Sequence, residues 1–296
     1  MNTTVRSAPD SAACTQDAAA PAQPCGADLQ IDLPGGGSAR LRLYGAKQRT
    51  AGGQPLVLHF HGGAFVSGCL ESGSLVPRLL ASAGAVVASL AYPLAPAHPF
   101  PAGIETGYAA LEWLHRQRVK LAGRGARVFL AGEEAGGNIA AAVAVMARDR
   151  AHPPLAGQIL LSPMLDPCTG TPSLRDATCD SAQCKWTDGW MAYLRSPRDA
   201  EHPYAVPGGC SRLAELAPTL VMAGEGDPMR DEAHAYAERL RIAGVPVRWQ
   251  LLARSAGWPQ AQTMGDLSQC ACGPAVQDAM VRFFAETVPV AATAPA

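Results

Sequence analysis

Arg127-Val128-Phe129-Leu130-Ala131-Gly132-Glu133-Glu134-Ala135-Gly136-Gly137-Asn138 decides how the rest of this 296-residue chain is read. It opens as a short apolar run of strand length. A glycine-rich turn carrying two acids, Glu133 and Glu134, follows. Beyond it Ile139, Val143 and Met146, with Ala142 beside them, recur at three- and four-residue spacing, the period of a helix face. The stretch therefore predicts strand, sharp turn, helix, with a pair of carboxylates in the turn.

The same alternation extends in both directions. Upstream, Leu29–Leu33 and Ala39–Leu43 flank Pro34-Gly35-Gly36-Gly37 and read as two strands joined by a turn. Leu56–Phe60 is a continuous apolar strand running into His61-Gly62-Gly63-Ala64-Phe65. A helical segment, Leu75–Ala83, precedes the strand Ala85–Leu90. A proline-rich loop spans Tyr92–Pro101, and Ile104, Tyr108, Leu111 and Leu114 mark a helix face. Downstream, Ile159–Leu161 and Thr219–Met222 are strands. The helix after the latter has Asp231 and Glu232 in its first turn, Arg239 and Arg241 in its last, and Gly244 past its end, as the helix dipole and C-cap favour. Val247–Leu252 is the last strand, and Pro274 opens a closing helix with Val276, Met280, Phe283 and Phe284 inward. Strands alternating with helices give a mostly parallel sheet covered on both faces. Ligands on such sheets sit beyond the C-terminal strand ends. Gly62, Glu134, Asp227 and the loop after Leu252 all fall there.

Residues 1–27 are rich in small and polar residues and lack any apolar period, so a disordered tail is expected ahead of one domain over 28–296. Within that domain residues 163–218 break the alternation and predict a small cap over the sheet. Trp186, Trp190, Tyr193 and Tyr204 in that segment read as cap packing ahead of a ligand cage. A net charge of -1 offers no electrostatic attraction for nucleic acid or an anionic membrane. No apolar run reaches the roughly 18 residues of a membrane span, and no signal peptide is visible, so a cytoplasmic protein is expected. The nine cysteines form no regular framework. Reduced thiols are expected, with a disulfide among the five from Cys179 onward as the alternative. Cys270-Ala271-Cys272 has the wrong spacing for a zinc knuckle, and neither a metal nor a cofactor is expected.

Four motifs in order resemble the hormone-sensitive-lipase-like esterases of the α/β-hydrolase group. His61-Gly62-Gly63-Ala64-Phe65 resembles their oxyanion loop, and Tyr92–Pro101 their proline loop, with Ala97 where an acid is usual. Gly132–Asn138 resembles the nucleophile elbow G-x-S-x-G. Asp227-Pro228-Met229-Arg230-Asp231-Glu232 resembles the segment supplying the triad acid. The resemblance covers about residues 30 to 286. It implies an α/β-hydrolase fold with a mostly parallel eight-stranded sheet, helices on both faces and a small cap. It places the nucleophile position at Glu134, the triad acid at Asp227, and the oxyanion hole at the backbone N–H groups of Gly62, Gly63 and Ala135. His61 becomes a structural residue of the loop. The histidine position falls at Gly257 by counting from Val247, or at Ala256 by matching Gly-aromatic. Neither is a histidine, and none occurs after His234.

Two members of the triad are therefore replaced. Acyl transfer needs a hydroxyl activated by an imidazole, and neither is present at these positions. A carboxylate beside anion-binding amides is expected to fold into them, directly or through water. Asp227 is expected to be an unpaired relic or a partner of Arg254. His234, on a helix past Asp227, is not expected to stand in for the base. The expected function is a non-hydrolytic protein binding a small-molecule ligand, with an ester-like substrate as the other possibility. The alternatives are weak or atypical ester hydrolysis through Glu134, or a lyase or isomerase using Glu134 as base. By resemblance a homodimer is possible.

Overall fold

A computed structural model of the chain describes residues 26–48, 53–178, 184–254, 257–258 and 271–287. Strands β1 (Asp28–Asp32), β2 (Ser38–Tyr44), β3 (Pro55–Phe60), β4 (Val86–Ala91), β5 (Arg127–Glu133), β6 (Gly157–Leu161), β7 (Thr219–Gly224) and β8 (Val247–Leu252) form one eight-stranded sheet in the order β1-β2-β4-β3-β5-β6-β7-β8. The β1–β2 and β2–β4 pairs are antiparallel, and every other pair is parallel. This is the α/β-hydrolase architecture expected from the sequence. The expected tail lies outside the described residues except for Gly26 and Ala27, and Leu43 N–H already donates to Ala27 O.

The helices are α1 (Leu75–Ser82), α2 (Ala102–Ala122), α3 (Ala135–Asp149), α4 (Pro172–Thr178), α5 (Lys185–Tyr193), α6 (Pro197–Ala200), α7 (Arg230–Ile242) and α8 (Gly273–Glu286). Both sheet faces are covered. One core joins α2, α3 and the cap to one face; the other joins α1 and α8 to the opposite face. β6 and β7 are buried at every residue, which is why they read as unbroken apolar runs rather than alternating ones. α3 is buried from Ala135 through Ala147, so its alanine-rich sequence suits a central helix pressed closely against its neighbours.

Sheet order reverses around β3, so the crevice for a ligand opens beyond β3 and β5. Register then fixes what meets there. Phe60 pairs with Gly132, which sets Gly62 beside Glu134 two residues further along both strands. Glu133 pairs with Leu161, and Glu134 N–H donates to Leu161 O at 3.1 Å, which brings Ser162 alongside.

Cys168, Cys184 and Cys210 are free thiols, but Cys272 is disulfide-bonded. The all-reduced expectation therefore fails at Cys272, one of the cysteines from Cys179 onward named as the alternative. Among the described residues no helix is long and apolar enough to cross a membrane.

Candidate active site

Glu134 sits at the turn between β5 and α3 with φ 52 and ψ -119. A non-glycine residue at positive φ is strained, at about 1–3 kcal/mol, and persists only where its surroundings dictate it. The glycines explain the tightness of the turn. A Cβ on Gly136 would lie 2.1 Å from Phe60 O, and one on Gly132 would lie 2.2 Å from Gly136 O. Only hydrogen fits at either place, so α3 starts in contact with the end of β3.

The strained backbone aims the Glu134 carboxylate at the loop after β3. Oε2 accepts hydrogen bonds from Gly63 N–H at 2.7 Å and Ala64 N–H at 3.3 Å. The loop can present two successive amides because Gly63, Ala64 and Phe65 all have positive φ, at 126, 49 and 67. The carboxylate thus folds onto the loop amides, as the chemistry of an acid in that position leads one to expect. The donor set differs from the expected one. Gly62 N–H turns to Glu133 Oε1 at 3.2 Å. Ala135 is buried at the start of α3, and among the described residues its N–H makes no hydrogen bond to the carboxylate. Ala64 takes its place as second donor.

Oε1, the other oxygen, faces the cap. It accepts from Trp186 Nε1 at 2.6 Å and lies 3.4 Å from Lys185 Nζ. Both residues belong to the first turn of α5. That helix reaches the loop because Gly189 replaces a side chain at the contact; a Cβ there would lie 2.2 Å from Ala64 O. Trp190 and Tyr193, further along α5, pack against Phe65, whose ring stacks on Tyr193 at 4.0 Å. The cap aromatics therefore divide: Trp190 and Tyr193 are packing, Tyr204 hydrogen-bonds Asp149, and Trp186 belongs to the site.

Glu133 holds the loop from beneath. Its Oε2 lies 2.6 Å from His59 Nε2, and His59 Nδ1 lies 2.9 Å from Ser89 Oγ. This buried chain ties β5, β3 and β4 together at their C-terminal ends. His61 Nδ1 lies 2.7 Å from Gly62 O, and its ring stacks on Tyr92 at 4.5 Å. Tyr92 OH donates to His61 O at 2.7 Å. Burial holds the His61 imidazole below its usual pKa. Its ring is committed to the loop backbone.

Asp227 follows β7 and is buried. It does not pair with Arg254, contrary to one of the two expectations, and it is not an unpaired relic either. Its Oδ2 accepts from Ser162 Oγ and its Oδ1 from Met229 N–H at 2.9 Å. Burial raises its pKa, partly opposed by these hydrogen bonds. Ser162 Oγ in turn accepts from Trp258 Nε1 at 2.7 Å. An indole from the loop after β8 thus closes the network around the acid. Arg254 instead uses its backbone N–H on Glu225 at 3.0 Å.

Gly257 is exposed, at φ 73, and a Cβ there would meet nothing within 4 Å. Ala256 lies outside the described residues. Among the described residues no histidine ring bonds to Glu134. His234 lies elsewhere, 3.6 Å from Glu238 Oε1 and 5.0 Å from the Trp249 ring. Sequence reasoning missed Ala64, Ser162, Lys185 and Trp258 as site residues. The aromatic content of the cap was the only signal, and it did not separate Trp186 from its neighbours.

The fold, the turn after β5 and the acid after β7 define a class, and the comparisons agree with it. Residues 57–255 match the family described as alpha/beta hydrolase fold, and the chain belongs to that family. More particularly, it is similar to esterases. It is 36% identical over 224 residues to "Esterase LipI" of Mycobacterium tuberculosis, covering 74% of this chain and 70% of that protein. It is 35% identical over 207 residues to the "Gibberellin receptor GID1" of Oryza sativa subsp. japonica, covering 66% and 58%. The solved structure of a thermostable esterase from Pseudomonas putida ECU1011 superposes with a TM-score of 0.77 at 29% identity, covering 88% of this chain and 82% of that one. The chain spans between 58% and 70% of the length of such curated relatives.

Proposed function

We propose that this chain is a non-hydrolytic member of the esterase family that binds a small molecule at the rim of β3, β5 and α5. One observation carries the reading: the Glu134 carboxylate accepts Gly63 N–H at 2.7 Å, in the amide nest where a reacting carbonyl oxygen would need to sit. The nest serves as an oxyanion hole only when empty, and here a tethered anion fills it. Among the described residues no imidazole reaches Glu134, and Asp227 is satisfied by Ser162, so the proton relay of an acyl-transfer site has no members left to move protons. Glu134 acting as base for a lyase or isomerase is disfavoured for the same reason, since base and hole occupy one another. A receptor among the similar proteins is consistent with a fold that outlives its hydrolytic chemistry. A cytoplasmic location, read from the sequence, stays part of the proposal, although the disulfide at Cys272 weighs against a reducing compartment.

The test is turnover of p-nitrophenyl acetate and labelling by a fluorophosphonate probe. Background rates and no labelling are expected. Efficient turnover abolished in Glu134→Gln would overturn the proposal in favour of Glu134-based hydrolysis.

A further inference from the structure

We infer that Glu134 and Trp186 form a cradle for a primary ammonium group, and that the Lys185 side chain is its internal occupant. The inference rests on the non-hydrolytic reading above, because it treats Glu134 as a fixed anion rather than a reagent. Oε2 of Glu134 is taken up by the Gly63 and Ala64 amides, which leaves Oε1 as the oxygen that faces outward. The Lys185 ammonium lies 3.4 Å from Oε1 and 4.7 Å from the centre of the Trp186 ring. A carboxylate and an indole face are the two partners that recognise an organic cation. Trp186 cannot swing freely, since its own N–H is bonded to the same carboxylate at 2.6 Å, so the ring face is held in place whether or not a cation covers it.

Exposure separates the cradle from its occupant. The Glu134 side chain is 13% exposed and that of Lys185 is 67% exposed. The anion is built into the floor, whereas the cation reaches it from solvent on a flexible stem through one long contact. Such a contact exchanges readily with water or with another cation. A ligand amine can therefore displace Lys185 without disturbing the nest, the elbow or the indole. A neutral or anionic head group gains nothing at Oε1 that Lys185 does not already supply. The ligand class is a small primary amine.

Titration of Lys185→Ser with n-butylammonium, read by tryptophan fluorescence and calorimetry, tests this, with n-butanol as the neutral control. Lys185→Ser is expected to bind butylammonium about two- to fivefold more tightly than the wild-type protein, because a tethered competitor held by one exposed ion pair is gone. Butanol is expected to show no saturable binding. Adding Glu134→Gln or Trp186→Leu to Lys185→Ser is expected to weaken binding at least about tenfold. The Trp186→Leu variant alters a half-buried cap side chain and keeps the test valid if Glu134→Gln fails to fold. Equal binding of butylammonium and butanol, or undiminished binding in both double variants, overturns the cradle and leaves the non-hydrolytic reading standing. Glu134-dependent ester turnover would overturn that reading whatever the titration shows.

Discussion

Replacing Glu134 by Gln probes the site with a near-isosteric change that removes only charge and one acceptor. In the wild-type protein both carboxylate oxygens face donors: two backbone amides on Oε2, and the Trp186 indole with the Lys185 ammonium on Oε1. A glutamine has one acceptor and one NH2 group, so whichever way it turns, its NH2 meets donors. If the amide oxygen keeps the nest, the Trp186 contact is lost; if it keeps Trp186, two backbone N–H groups lose theirs. Hydrogen bonds to a charged group contribute about 1.5–3 kcal/mol, and the half-buried Trp186 can recover part of its loss from water. The net cost is then about 2 kcal/mol. For a chain of this size, with an unfolding entropy of about 0.6 kcal/mol/K, that corresponds to a fall in Tm of about 3 °C. Differential scanning calorimetry and urea denaturation on the two proteins measure it. A change below about 0.5 kcal/mol would show that the carboxylate is not engaged as described.

Further predictions follow from other parts of the structure. Glu134→Ser, alone or with Gly257→His, is expected to give no p-nitrophenyl acetate turnover above background, because position 257 is exposed at positive φ and Asp227 is already engaged by Ser162 and Met229 N–H; a gain of about a hundredfold or more would refute that arrangement. Gly136→Ala places a methyl group against Phe60 O and is expected to destabilise by more than about 3 kcal/mol, visible as loss of a cooperative melt. Glu232 is buried, accepts from Leu165 and Asp166 N–H at 3.1 and 3.0 Å, and is pushed by burial from 4.5 up to about 8. The folded state therefore holds this proton more tightly than the unfolded chain, and stability should fall as pH rises from 4.5 towards 8. Melts at several pH values should show a flatter slope in Glu232→Gln, and an unchanged slope would contradict the assignment. Ser162→Ala should raise the pKa of Asp227 further, since it removes a hydrogen bond that favours the charged form; an unmoved carboxyl titration by NMR would count against the Ser162 contact.

The sheet was legible because β3, β5, β6 and β7 are buried on both faces and appear as apolar runs bounded by turns. The elbow was legible because its glycines answer to backbone contacts that exclude any Cβ. Asp227 was placed by its position just past a strand end, which is a local property. What sequence did not reveal depends on packing between distant segments. Whether Ala64 or Ala135 supplies the second amide is set by the positive φ angles of Gly63, Ala64 and Phe65, and the motif does not encode them. Trp186 reaches Glu134 only because Gly189 lets α5 close on Ala64, and a segment without period gives no hint of that approach. Trp258 was noted only as the aromatic after a missing histidine. Its indole N–H instead completes the hydrogen bonds around Ser162 and Asp227, a consequence of the turn past β8 rather than of residue type.

The backbone amide of Gly63 reports on the filled nest more directly than any activity assay. In a nitrogen–proton correlation spectrum of the wild-type protein at neutral pH, a short bond to a carboxylate should place its proton well downfield, and Glu134→Ala should move it upfield while amides of β1 and β2 stay in place. A Gly63 resonance that is the same in both proteins would mean the nest stands empty, and the case against hydrolysis would lose its foundation.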